Sequence, residues 1–196
     1  MACFLISGVA CTHAPTKFNA PITMEKVAFI PHSENKPMRS YLAMELPFAP
    51  YKTLHEDLEK RENLLLKNRG EAHITVISPV EYDQALKKYL PISEINKIAL
   101  QAQIQNAEIR PVCIGLGAKV LDGVPERTYF VVIESQDLLK IREQIATEYV
   151  RRGGNPGKFK AESFFPHVTL GFTQRDLHFE DGVLKNKSSC QFDFNN

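Results

Sequence analysis

The spacing of apolar and polar residues changes period several times along this chain, and each change marks an element. Residues 39–46 (RSYLAMEL) read as a strand closed by Pro47 and Pro50. A helical spacing of Leu54, Leu58 and Leu65 then predicts a helix over 51–68, with Lys67 and Arg69 complementing its C-terminal dipole and Gly70 as left-handed cap. Residues 72–78 (AHITVIS) return to strand periodicity and stop at Pro79; two shorter helices are expected over 82–90 and 93–104, the second capped by Ser93. The second half opens with a strand over 108–120, a turn at Asp122-Gly123 and a returning strand over 128–134 (TYFVVIE), the pattern of a hairpin. A helix over 136–152 follows, with Leu138, Ile141, Ile145 and Tyr149 on one face and Gly153-Gly154 at its end; the loop NPGKFKAESFF leads into a strand over 166–172 and offers itself as a lid.

The two halves share an order of strand, helix, glycine cap and strand, which suggests two lobes related by duplication. Each of the two late strands carries the same short word. His73-Ile74-Thr75-Val76 lies in the first and His167-Val168-Thr169-Leu170 in the second, 94 residues apart. Side chains alternate faces along a strand, so each histidine projects with its threonine while the apolar partners point the other way. One His-x-Thr would be ordinary strand decoration. With six histidines and nine threonines in 196 residues, chance supplies roughly 0.3 such pairs, so the doubling is the signal.

These two words, with RSYLAMELP as opening strand, resemble the two-histidine (2H) phosphoesterase superfamily, in which one H-x-[ST]-x motif in each of two pseudo-symmetric lobes faces a shared cleft. The flanking EAHITVISP and FFPHVTLGFT are similar to the Swiss-army-knife, RNA repair-like subgroup, related to 2′-5′ RNA ligase-like proteins; the resemblance covers about residues 39–177. It implies an α+β fold, two lobes of antiparallel sheet and helices forming one bilobal domain with a central cleft. It also implies a phosphodiesterase acting on a nucleotide or RNA end, at a 2′,3′-cyclic phosphate or a 2′-5′ linkage.

The residues suit that chemistry on their own terms. Phosphodiester cleavage needs a base for the attacking hydroxyl and an acid for the leaving oxygen, and two imidazoles supply both near neutrality. Which of His73 and His167 takes which part stays open at this point. Thr75 and Thr169 put hydroxyl donors where charge develops on the phosphate. No H-x-H, H-E-x-x-H or carboxylate cluster flanks either motif, so the chemistry is expected to be metal-independent and without a cofactor. Tyr41 and Tyr129 are candidates to stack a base and Arg127 to pair with a phosphate; packing tyrosines and a solvated arginine are the plainer readings. His13, His32, His55 and His178 lack a matching threonine and read as exposed surface, and Cys113 reads as a buried strand residue.

Composition narrows the rest. A net charge of +1, from 24 Lys+Arg and 23 Asp+Glu, argues against coating of long nucleic acid and leaves room for a small anion. The four cysteines have neither finger-like spacing nor a visible disulfide framework. No apolar run reaches the roughly 20 residues of a membrane-spanning helix. The apolar stretch 2–11 (ACFLISGVAC) resembles the back half of a bacterial lipoprotein signal with a lipid anchor at Cys11, though it lacks the basic start of such a signal; a buried first strand is the alternative. The expected organisation is a signal-like segment and extended arm over 1–38, the catalytic domain over 39–180 and a C-terminal tail over 181–196. A monomer is expected, periplasmic or lipid-anchored ahead of cytoplasmic. A protein that binds an RNA end or cyclic nucleotide without turnover, or one whose motifs merely decorate exposed strands, would carry the same words.

Overall fold

The computed structural model describes residues 17–21 and 25–195. Cys3, Cys11, His13 and the signal-like stretch lie outside the described residues. In chain order the elements are β1 (His32–Ser33), β2 (Ser40–Leu46), α1 (Phe48–Glu62), β3 (Ala72–Ile77), the short α2 (Pro79–Glu81) running into a π-turn (Tyr82–Leu86), α3 (Ile92–Gln101), β4 (Arg110–Leu121), β5 (Val124–Glu134), α4 (Gln136–Arg151), β6 (His167–Phe172) and β7 (Cys190–Asp193). They build two antiparallel sheets, β1-β2-β3 and β6-β5-β4-β7, with the helices packed around them. This is the α+β architecture expected from the sequence. Among the described residues, no helix is long and apolar enough to cross a membrane.

The strand patterns resolve as read. In β3, Ala72, Ile74 and Val76 are buried while His73 and Thr75 are half-exposed, and β6 repeats this with Val168 and Leu170 against His167 and Thr169. The β4–β5 hairpin closes with Leu121 opposite Val124 across Asp122-Gly123, whose φ values of 50° and 79° are those of the primed turns that match strand twist. Helix α4 is capped by the Ser135 side chain, which accepts from the Leu138 amide, and buries the expected Leu138, Ile141, Ile145 and Tyr149.

Other boundaries moved. Helix α1 stops at Glu62 with Asn63 in the left-handed conformation, leaving Leu65 90% exposed beyond it. The reason is tertiary: Lys67 exchanges both backbone hydrogen bonds with Phe172 of β6, at 2.8 and 2.9 Å, and so cannot belong to a helix. Gly70 serves the turn before β3 instead. Helix α3 begins after Pro91, which places Ser93 inside it and leaves α3 without a side-chain cap; the capping box of this stretch belongs to α2, where Ser78 accepts from the Glu81 amide while the Glu81 carboxylate accepts from the Ser78 amide.

Described residues of the arm and of the expected tail join the sheets. The arm contributes β1, paired to β2, and a buried Phe18 bridged to Phe194. Within the stretch expected as a tail, β7 adds an edge strand to β4, and Cys190 forms a disulfide with Cys113. The absence of a disulfide framework was therefore a wrong expectation: the partners lie 77 residues apart and meet only because β7 pairs with β4.

The halves exchange helices. Helix α1 packs on β6 and α4 on β3, so each motif strand is backed by the helix of the other half. The carbonyl of the last residue of each motif accepts from a buried side chain of that helix: His55 Nδ1 donates to Leu170 at 3.0 Å, and Arg142 Nη1 to Val76 at 2.6 Å. His55, expected on the surface, is buried for this reason. Beside it, Gly171 approaches so closely that a Cβ would stand 2.8 Å from the His55 ring. Arg142, only 1% exposed, also pairs with Glu81 and donates to the Ala161, Lys160 and Ser163 carbonyls. The loop offered as a lid is pinned by these bonds and by the buried Phe159.

Removing the Arg142 cation strands a carboxylate and four carbonyls. Arg142→Met is expected to cost about 3–5 kcal/mol, and the paired Cys113→Ala/Cys190→Ala change about 2–5 kcal/mol. Guanidinium denaturation under non-reducing conditions measures both, and a midpoint equal to wild type in either would contradict the corresponding role.

Candidate active site

The backbones of β3 and β6 approach one another, and their polar faces open onto one cavity of about 730 Å³. His73, Thr75, His167 and Thr169 all line it. Tyr41, on β2, lines it too, stacked on His32 at 4.0 Å and 6.1 Å from the His73 ring. His32, expected to be surface, instead bonds Glu45 at 2.9 Å within the first sheet.

Two expected binding residues are not part of this wall. Tyr129 is fully buried and donates its hydroxyl to Glu62 at 3.0 Å. Parity explains it: Val132 faces His167 and Phe130 faces Thr169 across the ladder, so Tyr129 and Val131 point to the opposite face, into the main core. Arg127 is exposed near the outer end of β5, where its amide donates to the Thr173 hydroxyl and its carbonyl accepts from the Thr173 amide, and it does not line the cavity.

In their place the cavity gathers loop residues: Arg39, Arg69, Glu71, Asp176, His178, Phe179 and Glu180 among them. Arg69 and Glu71 stand just ahead of the first motif, where charge beside His73 was a readable hint. Asp176, His178 and Phe179 follow the second strand without periodicity, and nothing in their spacing points to the site.

The two histidines are set differently. His167 Nδ1 lies 2.8 Å from the Phe165 carbonyl, which can only accept. The neutral ring therefore carries its proton on Nδ1, and Nε2 has the lone pair. Burial and the Lys185 cation hold the His167 pKa well below the ordinary histidine value, with Asp176 and the carbonyl bond opposing in part. His73 is also lowered by burial, but Glu71 and Glu45 pull the other way, and the Glu71 carboxylate lies 3.5 Å from its Nδ1. Thr169 directs its hydroxyl to Asp176 at 3.3 Å, so the expected donor to a phosphate is engaged within the protein. Asp176 in turn accepts from Lys185 at 2.8 Å and lies 3.5 Å from Arg69. At the rim, Phe179 is 66% exposed and stacked on Phe165 with centroids 6.5 Å apart.

The family model of the Swiss Army Knife 2H phosphoesterase domain matches residues 40–178. The chain belongs to this family. The match takes in both motifs and the cavity wall as far as His178, and membership gives the class of chemistry, phosphodiester cleavage. No curated protein and no solved structure matches the chain.

The setting of His167 has a direct readout. At pH 6, where an ordinary histidine of pKa about 6.5 is largely protonated, the ¹⁵N shifts of His167 are expected to be those of a neutral ring protonated on Nδ1. A cationic His167 at that pH would contradict the electrostatics described.

Proposed function

We propose that this 2H phosphoesterase cleaves a phosphodiester of a nucleotide or RNA terminus, a 2′,3′-cyclic phosphate or a 2′-5′ linkage, with His167 as general base and His73 as general acid. The reading is carried by one observation: both His-x-Thr pairs line a single cavity together with Arg39 and Arg69. The unprotonated Nε2 of His167 takes a proton from the attacking water as its oxygen bonds to phosphorus. His73, whose proton the neighbouring Glu71 helps retain, gives it to the leaving oxygen as that P–O bond breaks. Proton exchange with water resets the pair. Thr75 and the two guanidiniums are suited to the non-bridging oxygens, while Thr169 keeps its proton on Asp176 and presents an oxygen lone pair to the attacking water.

The charges on the cavity wall favour a small substrate. Two arginines there face Glu71, Asp176 and Glu180, so the ionised side chains do not make a strong positive field. That suits the single charge of a phosphodiester better than a polyphosphate. Phe179 at the rim, backed by Phe165, takes over from Tyr129 as the surface on which a base stacks, with Tyr41 on the other sheet. The Cys113–Cys190 disulfide supports an oxidising compartment, in line with a periplasmic or Cys11-anchored protein.

A panel of nucleoside 2′,3′-cyclic phosphates and 2′-5′ dinucleotides tests the assignment. Turnover is expected to survive EDTA and to fall at least about a hundredfold in His73→Ala and in His167→Ala. Binding without product in the wild type, or equal turnover in the double variant, would reject it. In kcat/KM, activity rises as His167 loses its proton and falls as His73 loses its own. Both groups are held below the free value, so the bell is expected to be centred on the acid side of about pH 6.5. An optimum above pH 8 would contradict that.

A further inference from the structure

Asp176 and Lys185 form a buried ion pair, their side chains 5% and 4% exposed, in a segment that no motif announces. The sequence gives no reason to bury a lysine there, and desolvation of two charges is unfavourable unless they are held together. Their surroundings point to the site. One Asp176 oxygen accepts from Lys185, and the other accepts from Thr169 and faces Arg69 and His178. Lys185 Nζ lies over the Phe130 ring, 5.5 Å from its centroid, and the same ring meets His167 edge-on at 5.8 Å.

We propose that the Asp176–Lys185 pair is a positioning element of the active site, which aims the Thr169 hydroxyl and keeps two opposed charges balanced against the His167 ring. It rests on the phosphodiesterase reading for its purpose but not for its test. Among the described residues, Arg39 ahead of β2 and Glu180 after β6 line the same cavity as His167. The segment after β6 brings Asp176, His178 and Lys185; β5 brings the apolar Phe130 and Val132; β3 brings His73 and Thr75; the turn before β3 brings Arg69, against Asp176, and Glu71, against His73. Lys185 disfavours a proton on His167 and Asp176 favours one, so the pair works as a setting that either deletion disturbs. The same segment continues into β7, which the Cys113–Cys190 bond fastens to the sheet below His167. Lys185 is thereby tied to the sheet that carries the second motif.

The test uses the full chain with Lys185→Met and with the doubly apolar Asp176→Leu/Lys185→Met. His167 is titrated by NMR without substrate, and kcat and KM are measured across pH. In Lys185→Met, Asp176 keeps only Arg69 and His178 against it and the Lys185 cation is gone from His167, so the His167 titration is expected to rise by at least about half a pH unit, and the acid limb of kcat/KM moves up with it. In the double variant the titration returns toward wild type, while kcat falls about tenfold with KM little changed, because Thr169 has lost its acceptor. An unshifted His167 in folded Lys185→Met overturns the proposal. Should that variant fail to fold, wild-type kcat in the double variant overturns it. A shifted titration in a protein with no phosphodiesterase activity leaves the pairing standing and removes the reaction assigned to it.

Discussion

The two motifs keep their relative position largely because of one guanidinium. Arg142 is buried with Glu81 as its counter-charge, and its remaining donors go to the Val76 carbonyl, at the end of the first motif, and to carbonyls of the loop that delivers the second. Phe159 and Phe164 lie within about 5 Å of the cation and exclude water from it. A planar group with five donors can span such divergent acceptors, and a lysine cannot. The cost of burying the charge is met only when every one of these partners is in place, so both strands are held to one geometry.

The same logic appears, in weaker form, on the other side. His55 of α1 reaches the Leu170 carbonyl, the position in the second motif that Val76 occupies in the first. Each lobe thus depends on a helix from the other half, and the backbone bridge between Lys67 and Phe172 adds a direct link. An active site at a lobe interface usually risks relative motion of its halves. Here the exchanged helices make the two lobes a single packed core, which includes residues from both sheets.

A second, smaller cluster sets the surroundings of His167. The floor under His167 is the small apolar cluster of Cys113, Phe130 and Val132, separate from the main core and on the cleft face of the second sheet. Burial there, together with Lys185, favours the neutral ring that a general base requires. His73 sits among carboxylates that offset its burial. Two copies of one motif are thereby given different electrostatic settings, in line with the opposite duties proposed for them, by neighbours that the motif does not contain.

What the sequence determined by itself was local and periodic: the β3 and β6 strands with their polar and apolar faces, the Asp122-Gly123 hairpin, the α4 stripe, the α+β class and the two His-x-Thr pairs. Alternation along a strand and a 3.6-residue stripe along a helix are properties of consecutive residues, so they can be read without knowing the partner. Tertiary structure alone decided where α1 ends, because β6 claims Lys67; which tyrosine faces the cavity, because ladder register turns Tyr129 into the core; and that Cys113 meets Cys190, because the last strand pairs with β4. It likewise brought Arg69, Asp176, His178 and Phe179 beside the histidines. These residues lie in loops, where neighbours in space are set by the packing of distant elements and no period in the chain records them.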